Sequence, residues 1–388
     1  MTMLAIRAAR LFDGTGTTAD PIVYVKDGIV VGVSAGGTPP SDAEVLDLGP
    51  VTLLPGLVDA HTHLVFDAGP DPVGRLLSVD DDELLRGARV AATRALHAGI
   101  TTVRDLGDRG YVTRRLRAEL DRAPHTGPHV LSAGPPITSP RGHCWWLGGE
   151  TSGVDGIRAA VASRAEHGVD VIKVLATGGE ITRGTKPYLL QFSPPELAAA
   201  ADEAHRHGLP AAAHAHSAEA IAAAIDAGFD TVEHGSFLTA DGASPDYDVI
   251  GKLAASETIV SATLGYLPGE PVPASTAAIS AALTSIFTAQ RDAGVRMIVT
   301  SDAGIGPSKP HDVLPYAAEM FLLFGDPAPA ALRAVTSDAA AACGLGATKG
   351  RVAAGYDADL LAVAGNPASD ITALREVRAV FRAGVRVR

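Results

Sequence analysis

Two histidines stand at the end of an apolar run near the start of the chain. The segment LLPGLVDAHTH (53–63) has the character of a buried strand and ends with His61 and His63. Alternate residues of a strand face the same side of a sheet, so both imidazoles can point in one direction. Neutral imidazoles with a carboxylate suit zinc or a similar divalent ion. A His-x-His pair alone is more often two ordinary hydrogen-bonded histidines, so partners are needed.

Partners occur at the ends of three later apolar segments. PAAAHAHS carries His214 and His216, DTVEHGS carries Glu233 and His234, and MIVTSDAG reaches Asp302. Four such strand ends in one domain are much less expected by chance than one. We therefore favour a metal site over a set of unrelated histidines.

Lys173 interrupts a fourth apolar segment, DVIKVLATGG (170–179). Burial of an ammonium between apolar neighbours is costly and lowers the pKa of the amine. One interpretation is a lysine paired with a nearby acidic residue. The other is an uncharged amine that captures CO₂ as a carbamate and bridges two metal ions as a carboxylate does.

A repeated junction indicates which fold positions these residues. Five times, Ala-Gly or His-Gly follows a helical stretch and precedes an apolar strand, as in AGITTV (98–103). Glycine just past a helix end supplies the left-handed position, and the repeat predicts βα units with a parallel sheet. Eight such units over about 290 residues lead us to expect a (β/α)8 TIM barrel. An open doubly wound sheet would have the same local pattern, but no GxGxxG follows the first strand, which removes one reason to prefer it. The predicted strands are 53–60, 101–106, 129–134, 170–176, 209–214, 229–234, 258–264 and 296–301. In such a barrel, catalytic groups lie at the C-terminal strand ends.

The two ends of the chain differ from the middle. Residues 1–52 and 350–388 contain short strand-like segments with Asp-Gly turn signals at 13–14 and 27–28. Each is small for independent stability. We expect them to form one discontinuous β-sandwich domain beside a barrel domain of residues 53–349.

Composition restricts the class of protein. Apolar residues make up 46% and charged residues 20%, and the net charge is −12. This balance predicts a folded protein with a large core and disfavours nucleic-acid or anionic-membrane partners. The two cysteines form no disulfide framework, no signal peptide is evident, and no apolar run reaches the roughly 20 residues of a membrane span. We expect a cytoplasmic homo-oligomer that acts on a small molecule.

Several segments resemble the amidohydrolase superfamily of metal-dependent hydrolases. They are similar above all to the group with imidazolonepropionase-like proteins, Xaa-Pro dipeptidases and ochratoxin-type amidases. The similar segments are LPGLVDAHTH, AGITTVRDLG, VDVIKVLATGG, AAHAHS, VEHGS, TSDAG and, near the C-terminus, GRVAAGYDADLLAVAGNP. The resemblance spans nearly the whole chain and implies hydrolysis of an amide-type C–N bond.

The resemblance also implies roles for individual residues. His61, His63 and Asp302 would bind one metal ion, His214 and His234 a second, and Lys173 as a carbamate would bridge both. Two Zn²⁺ ions would provide a bridging hydroxide, for which Asp302 acts as general base and then general acid. His216 would face the substrate.

The loop TSPRGHCWWLGGE (138–150) corresponds to a family segment with one histidine. By that resemblance, His143 would polarise the scissile carbonyl. The Cys144-Trp145-Trp146 that follows is less expected for the family; it would form a substrate-specific wall or, equally well, anchor the loop by burying its aromatic side chains. Arg141 and Tyr188, with Arg183 and Lys186, are candidates for binding a substrate carboxylate, which would favour N-acyl amino acids or dipeptides. They are equally typical of solvated loops.

Three alternatives remain open from the sequence. A cyclic amidase of the imidazolonepropionase type would use one metal ion. A deaminase would place a glutamate close after His214, whereas Glu219 is the first one here. A metal-free binding protein would lack ligands, and none is missing.

Overall fold

A computed structural model describes residues 3–388. The N-terminal part contains seven strands. They are β1 (Leu4–Arg7), β2 (Arg10–Phe12), β3 (Thr17–Ala19), β4 (Pro21–Lys26), β5 (Ile29–Ala35), β6 (Glu44–Asp47) and β7 (Val51–Pro55).

The middle of the chain alternates strands and helices. Its elements are β8 (Leu57–Thr62), α1 (Pro72–Ser78), α2 (Asp81–His97), β9 (Ile100–Asp105), α3 (Val112–Leu120), β10 (His129–Ser132), α4 (Val154–Glu166), β11 (Ile172–Leu175), α5 (Pro194–Arg206), β12 (Ala211–Ala215), α6 (Ala218–Ala227), β13 (Thr231–His234), β14 (Leu238–Thr239), β15 (Gly242–Ala243), α7 (Tyr247–Ala255), β16 (Ile259–Thr263), α8 (Ala274–Asp292), β17 (Met297–Thr300), α9 (Leu314–Phe321), α10 (Ala328–Ala334) and α11 (Ser337–Ala342).

Three strands follow towards the C-terminus: β18 (Leu360–Ala364), β19 (Val377–Arg382) and β20 (Val385–Arg386). Short 3₁₀ helices span Pro124–Thr126, Trp145–Leu147, Leu322–Phe324 and Ile371–Arg375. Within residues 3–388, no helix combines the length and apolar character that crossing a membrane requires.

Eight parallel strands form the middle of the molecule. Three pair in the order β10-β9-β8 and five in the order β11-β12-β13-β16-β17. Parallel bridges between Thr62 and Ala303, and between Ile137 and Val174, join these two sheets on both sides. A helix follows every one of the eight strands. The predicted α/β class is confirmed, and the strand order is cyclic.

Local sequence explains the junctions between helices and strands. The glycines of the five repeated junctions (Gly99, Gly168, Gly208, Gly228 and Gly294) have φ angles between 70° and 88°. These are left-handed conformations, which glycine adopts without the steric cost of a Cβ. Helix α2, which precedes the Gly99 junction, is capped at its N-terminus by Asp80. The carboxylate of Asp80 accepts a hydrogen bond from the backbone N–H of Glu83 at 2.8 Å. Such caps satisfy the free N–H groups of the first turn.

The two ends of the chain share a sheet. It has six strands in the order β20-β19-β18-β7-β2-β3, and a second sheet has the order β5-β4-β1-β6. Val23, Leu53, Leu360 and Phe381 contribute to one apolar cluster between them. Strands from both termini therefore bury a common core.

The predicted strand over residues 53–60 is wrong in one respect, because it is two strands. Its first half belongs to β7, which pairs with β18 in the terminal sheet, and its second half belongs to β8. The chain changes sheet at Gly56, where a Cβ would lie 2.0 Å from Thr101 Oγ1. The terminal sheet therefore extends to Pro55, and the chain enters the parallel strands after Gly56.

Candidate metal centre

The strand ends predicted from the sequence meet in one cavity. His61, Lys173, His214 and His234 lie on β8, β11, β12 and β13, and all four line a cavity of about 850 Å³. His63, His216, Asp302 and His143 also line it. The structure therefore brings together the six predicted ligands and two of the predicted substrate contacts.

His61, His63 and Asp302 form the first group of possible metal ligands. One ligand atom from each lies within 4.8 Å of the others. Asp302 Oδ1 is 3.5 Å from His61 Nε2 and 3.3 Å from His63 Nε2. Asp302 has a left-handed φ of 55°, and its N–H donates to the carbonyl of His61 at 2.8 Å. This bond between β8 and the end of β17 fixes the carboxylate beside the two rings.

The buried ion pair of Glu233 and Arg104 orients the ring of His61 through its Nδ1 atom. Its Nδ1 is 2.8 Å from Glu233 Oε2, and Arg104 donates to Glu233 Oε1 at 3.0 Å. Glu233 therefore leaves Nε2 of His61 to face the cavity, an arrangement typical of metal-ligating histidines. Sequence reasoning assigned Glu233 no role and missed Arg104. Arg104 could have been found in the same way as Lys173, because each is a charged residue inside an apolar strand segment.

His214, His216 and His234 form the second group, also with ligand atoms within 4.8 Å of one another. His234 Nε2 lies 2.9 Å from His214 Nδ1, and the rings of His216 and His234 stack with centroids 4.4 Å apart. His61 joins the two groups, since its ring centroid is 5.2 Å from that of His234. The remaining contacts are His214 Nε2 to Gly178 O at 3.0 Å, His216 Nδ1 to Ser236 Oγ at 2.7 Å and His234 Nδ1 to Thr263 Oγ1 at 2.8 Å.

Lys173 is buried in the same place without a partner. Its side chain is 1% exposed, and Nζ has no hydrogen-bond partner among residues 3–388. Burial lowers the pKa of its amine to about 8, although Glu233 and Asp302 act in the opposite direction. The interpretation of Lys173 as one half of an ion pair is not supported, because no described acidic group lies within ion-pair distance.

The electrostatics favour neutral imidazoles beside ionised carboxylates. Burial lowers the pKa of His61 and of His216 to about 4. His63 differs: burial lowers its pKa, but the hydrogen bond to Asp302 and the negative charges of Asp302 and Asp105 together outweigh burial and raise it. Burial opposes ionisation of Asp302, but His61 and His63 outweigh it and hold its pKa well below the ordinary value.

This donor set fits divalent cations. It combines imidazole nitrogens with an ionised carboxylate and a buried amine that has no partner, and imidazole and carboxylate are the ligands that zinc and related ions take. A site built only for packing would leave neither a lone buried amine nor a cluster of facing imidazoles.

His143 lines the cavity from the loop after β10. Its ring centroid is 4.9 Å from that of His214, and burial lowers its pKa to about 3. The close approach needs a glycine opposite, because a Cβ on Gly179 would lie 2.3 Å from the ring. Cys144 also lines the cavity, and burial raises the pKa of its thiol to about 12, which argues against a nucleophilic role. Trp145 is 45% exposed and lies outside the lining.

Arg141 and Tyr188 are not brought to the cavity. Arg141 is exposed, and its N–H donates to Glu150 at 2.6 Å. The segment containing Tyr188 turns back on the chain, since Leu190 forms an antiparallel bridge with Thr177. The lining contains another basic residue instead, Lys309, which sequence reasoning missed. It lies in the loop after β17, where no periodic pattern marks it.

Part of the cavity lining is apolar. It is formed by the inner face of α8 and by residues near the C-terminal end of α9. The N-terminal half of α8 packs little, because the fully buried residues of this helix are Ile286, Phe287 and Gln290. Members of this apolar part are Ile279, Leu283, Phe287, Met320, Leu323 and Phe324. The lining of the cavity thus combines possible metal ligands at the strand ends with apolar side chains of α8 and of the segment around the end of α9.

Comparison with known proteins agrees with this geometry. The model of the amidohydrolase family matches residues 52–387. Ochratoxinase of Aspergillus niger is 29% identical over 361 residues, 84% of this chain and 73% of that protein. Imidazolonepropionase of Deinococcus deserti is 29% identical over 410 residues, 95% of this chain and 92% of that protein. The crystal structure of a Xaa-Pro dipeptidase with bound methionine superposes with a TM-score of 0.87 at 25% identity and covers 99% of both chains.

Proposed function

We propose, from the premise that this chain belongs to the amidohydrolase family, that it cleaves the amide bond of a dipeptide, an N-acyl amino acid or a similar small amide. Its family and its relatives make it a hydrolase of C–N bonds. The observation that carries the finer proposal is the meeting of two ligand groups and the unpartnered Lys173 in one cavity.

We propose that the architecture is a (β/α)8 barrel beside a discontinuous β-sandwich. The cyclic strand order and the two bridges that join the parallel sheets support the barrel. The apolar cluster shared by the two terminal sheets supports the sandwich.

Two divalent ions, with zinc as first candidate, would be held by the two groups. His61, His63 and Asp302 would bind one ion, and His214 and His234 the other, with Lys173 as a carbamate between them. The second group supports two ions rather than the single ion of a cyclic amidase. His216 belongs to the same group, and its assignment to the substrate rather than to an ion remains a proposal. Divalent ions held there would lower the pKa of water from near 16 towards about 7, which supplies a nucleophile at neutral pH.

The residues of the chain would then move protons and orient the substrate. Asp302, ionised and held beside His61 and His63, accepts a proton at its carboxylate and returns it to the leaving amine. His143 is neutral at pH 7 and donates a hydrogen bond to the scissile carbonyl, which stabilises the charge that develops there. Apolar side chains such as Leu283 and Phe287 line the same cavity and lower its polarity. The homo-oligomeric state and cytoplasmic location expected from the sequence remain predictions.

A substrate screen tests this function. Zinc-loaded enzyme is incubated with a library of dipeptides and N-acyl amino acids, and free amine is measured. We expect cleavage of several members and none after chelation. Ring opening of a cyclic imidazolone-type amide without cleavage of any open-chain amide would replace the proposal by the cyclic amidase alternative.

A further inference from the structure

Lys309 places an ammonium group in the cavity wall that forms no ion pair with a carboxylate of residues 3–388, and Asp302 and Asp59 act on it only from a greater distance. Its side chain is 5% exposed, and no described carboxylate lies within ion-pair distance of Nζ. Nζ donates to the carbonyls of Ser301 at 2.6 Å and of Leu264 at 3.3 Å, and it lies 4.7 Å from the ring centroid of Tyr266. These contacts stabilise the ammonium partly, but a buried charge is costly without an opposite charge.

The position of Lys309 ties it to the reaction site. Ser301 immediately precedes Asp302, and Leu264 immediately follows β16, so the ammonium lies at the same strand ends as the ligand groups. The two acidic residues on the cavity lining are Asp302, which His61 and His63 engage, and Glu180, which accepts from Ser275. Neither pairs with Lys309.

The apolar surroundings strengthen the attraction between the Lys309 ammonium and a negatively charged ligand. Leu264, Leu283, Phe287 and Met320 line the same cavity and keep its polarity low. In such surroundings an opposite charge interacts more strongly than it does in water. A carboxylate carries one negative charge, which one ammonium can neutralise, and the proposed amide substrates include molecules that carry a carboxylate.

We propose that Lys309 binds the carboxylate of the substrate, so that the enzyme prefers N-acyl amino acids over amides that lack a carboxylate. This inference rests on the proposed amide hydrolysis and names its substrate class. It also moves carboxylate recognition from the loop residues expected from the sequence to the loop after β17.

A matched pair of amides tests the proposal. N-octanoyl-L-phenylalanine and N-(2-phenylethyl)octanamide differ by the carboxylate alone. For the zinc-loaded wild type we expect kcat/KM to be about 10- to 100-fold higher for the carboxylate, the range of one charge-assisted hydrogen bond. Calorimetry should show tighter binding of the carboxylate by a similar factor.

Three variants locate the preference. Lys309→Met should bring the ratio of the two substrates towards one, mainly through KM for the carboxylate. Lys309→Arg keeps the charge and should keep part of the preference. Lys252→Met removes a half-buried lysine of α7 that pairs with Asp226 outside the cavity, and it should keep the whole preference.

The outcomes separate this proposal from the proposed function. An equal loss for both substrates in Lys309→Met would show that Lys309 only ties the two strand ends together, and the proposal would be wrong. A wild type without preference in binding and turnover would also overturn it. Tight, Lys309-dependent binding of the carboxylate without cleavage of either amide would instead contradict the amide hydrolysis and leave the carboxylate site standing.

Discussion

Two buried lysines, Lys349 beside the terminal sheets and Lys173 at the strand ends, have opposite surroundings. Lys349 Nζ is 2.6 Å from Asp357 and 2.7 Å from Asp359, and Arg382 reaches Asp359 at 2.9 Å. Lys173 is still more buried and has no hydrogen-bond partner among residues 3–388. The charge of Lys349 is thus neutralised by neighbouring carboxylates, whereas Lys173 has no such partner.

This difference distinguishes charged groups that stabilise the fold from charged groups that are available to bind a ligand. A buried ion pair is compatible with a stable fold only while both charges are present, because removal of one partner leaves the other charge buried without compensation. A buried amine among neutral imidazoles contributes nothing of that kind, and a perturbed cluster in a cavity is typical of a functional site. Substitutions in the two regions should therefore affect different properties.

The largest effect is expected for Lys173→Ala. We expect kcat/KM to fall by about a thousandfold or more, because the bridge between the two proposed ions is lost. Metal analysis should show one ion per chain in place of two. Circular dichroism should show an intact fold, since no ion pair of the chain is broken.

Chemical rescue provides the control for that variant. Acetate or propionate should restore part of the activity of Lys173→Ala by occupying the vacated bridge. A variant that keeps two tightly bound ions and normal turnover would refute the role of Lys173.

Asp359→Ala should show the reverse behaviour. Removal of the carboxylate leaves Lys349 with one partner and Arg382 with none, so the free energy of unfolding should fall by about 3 to 5 kcal/mol. Urea denaturation measures this loss, and the exposed Asp42→Ala is the matched control. At a temperature where both proteins are folded, kcat should change little, and a large loss of kcat with normal stability would erase the distinction between the regions.

The same variant has a pH signature with a definite sign. Burial raises the pKa of Asp359, but Arg382 and Lys349 outweigh it and hold the pKa below the ordinary value of 3.8. A carboxyl with a depressed folded pKa stabilises the protein above the unfolded pKa, and this contribution is lost as pH falls through the folded pKa. The difference in stability between wild type and Asp359→Ala should be full at neutral pH and should shrink below pH 3.8.

Glu233→Gln should have an intermediate effect. The carboxylate orients His61 and pairs with Arg104, and loss of such a contact behind a metal ligand costs about 10- to 100-fold in metal affinity or activity. Titration with zinc and assay at saturating zinc would separate the two quantities. Glu257→Gln, an exposed change on the same type of ion pair, is the control. Equal zinc affinity and activity in Glu233→Gln and wild type would contradict a positioning role.

Arg141→Ala should have the smallest effect. Because Arg141 is exposed and does not line the cavity, we expect KM for an N-acyl amino acid to change less than about twofold. A tenfold rise in KM would return carboxylate binding to the loop after β10.

The sequence indicated which polar residues meet in the cavity, because strand ends carry a local signal. A histidine or lysine inside an apolar run is visible without coordinates, and the repeated helix-glycine-strand junctions predict where such runs end. The cost of burying these polar groups makes the pattern informative. The same reasoning applied to Arg104 would have found the residue behind His61.

Other features depend on tertiary contacts that the sequence does not display. The division of residues 53–60 into two strands depends on the contact of Gly56 with Thr101 and on pairing with β18, whose residues lie about 300 positions later. Loop conformation decides that Lys309 lines the cavity and Tyr188 does not. Neither loop has a hydrophobic period from which its path follows.

A crystal structure of the zinc-loaded enzyme, with anomalous scattering at the zinc edge, tests the account most directly. We predict two ions, one with His61, His63 and Asp302 as ligands and one with His214 and His234, and a carbamate on Lys173 between them. An unmodified Lys173 amine in a fully metal-loaded protein would contradict the two-ion account and leave a mononuclear hydrolase.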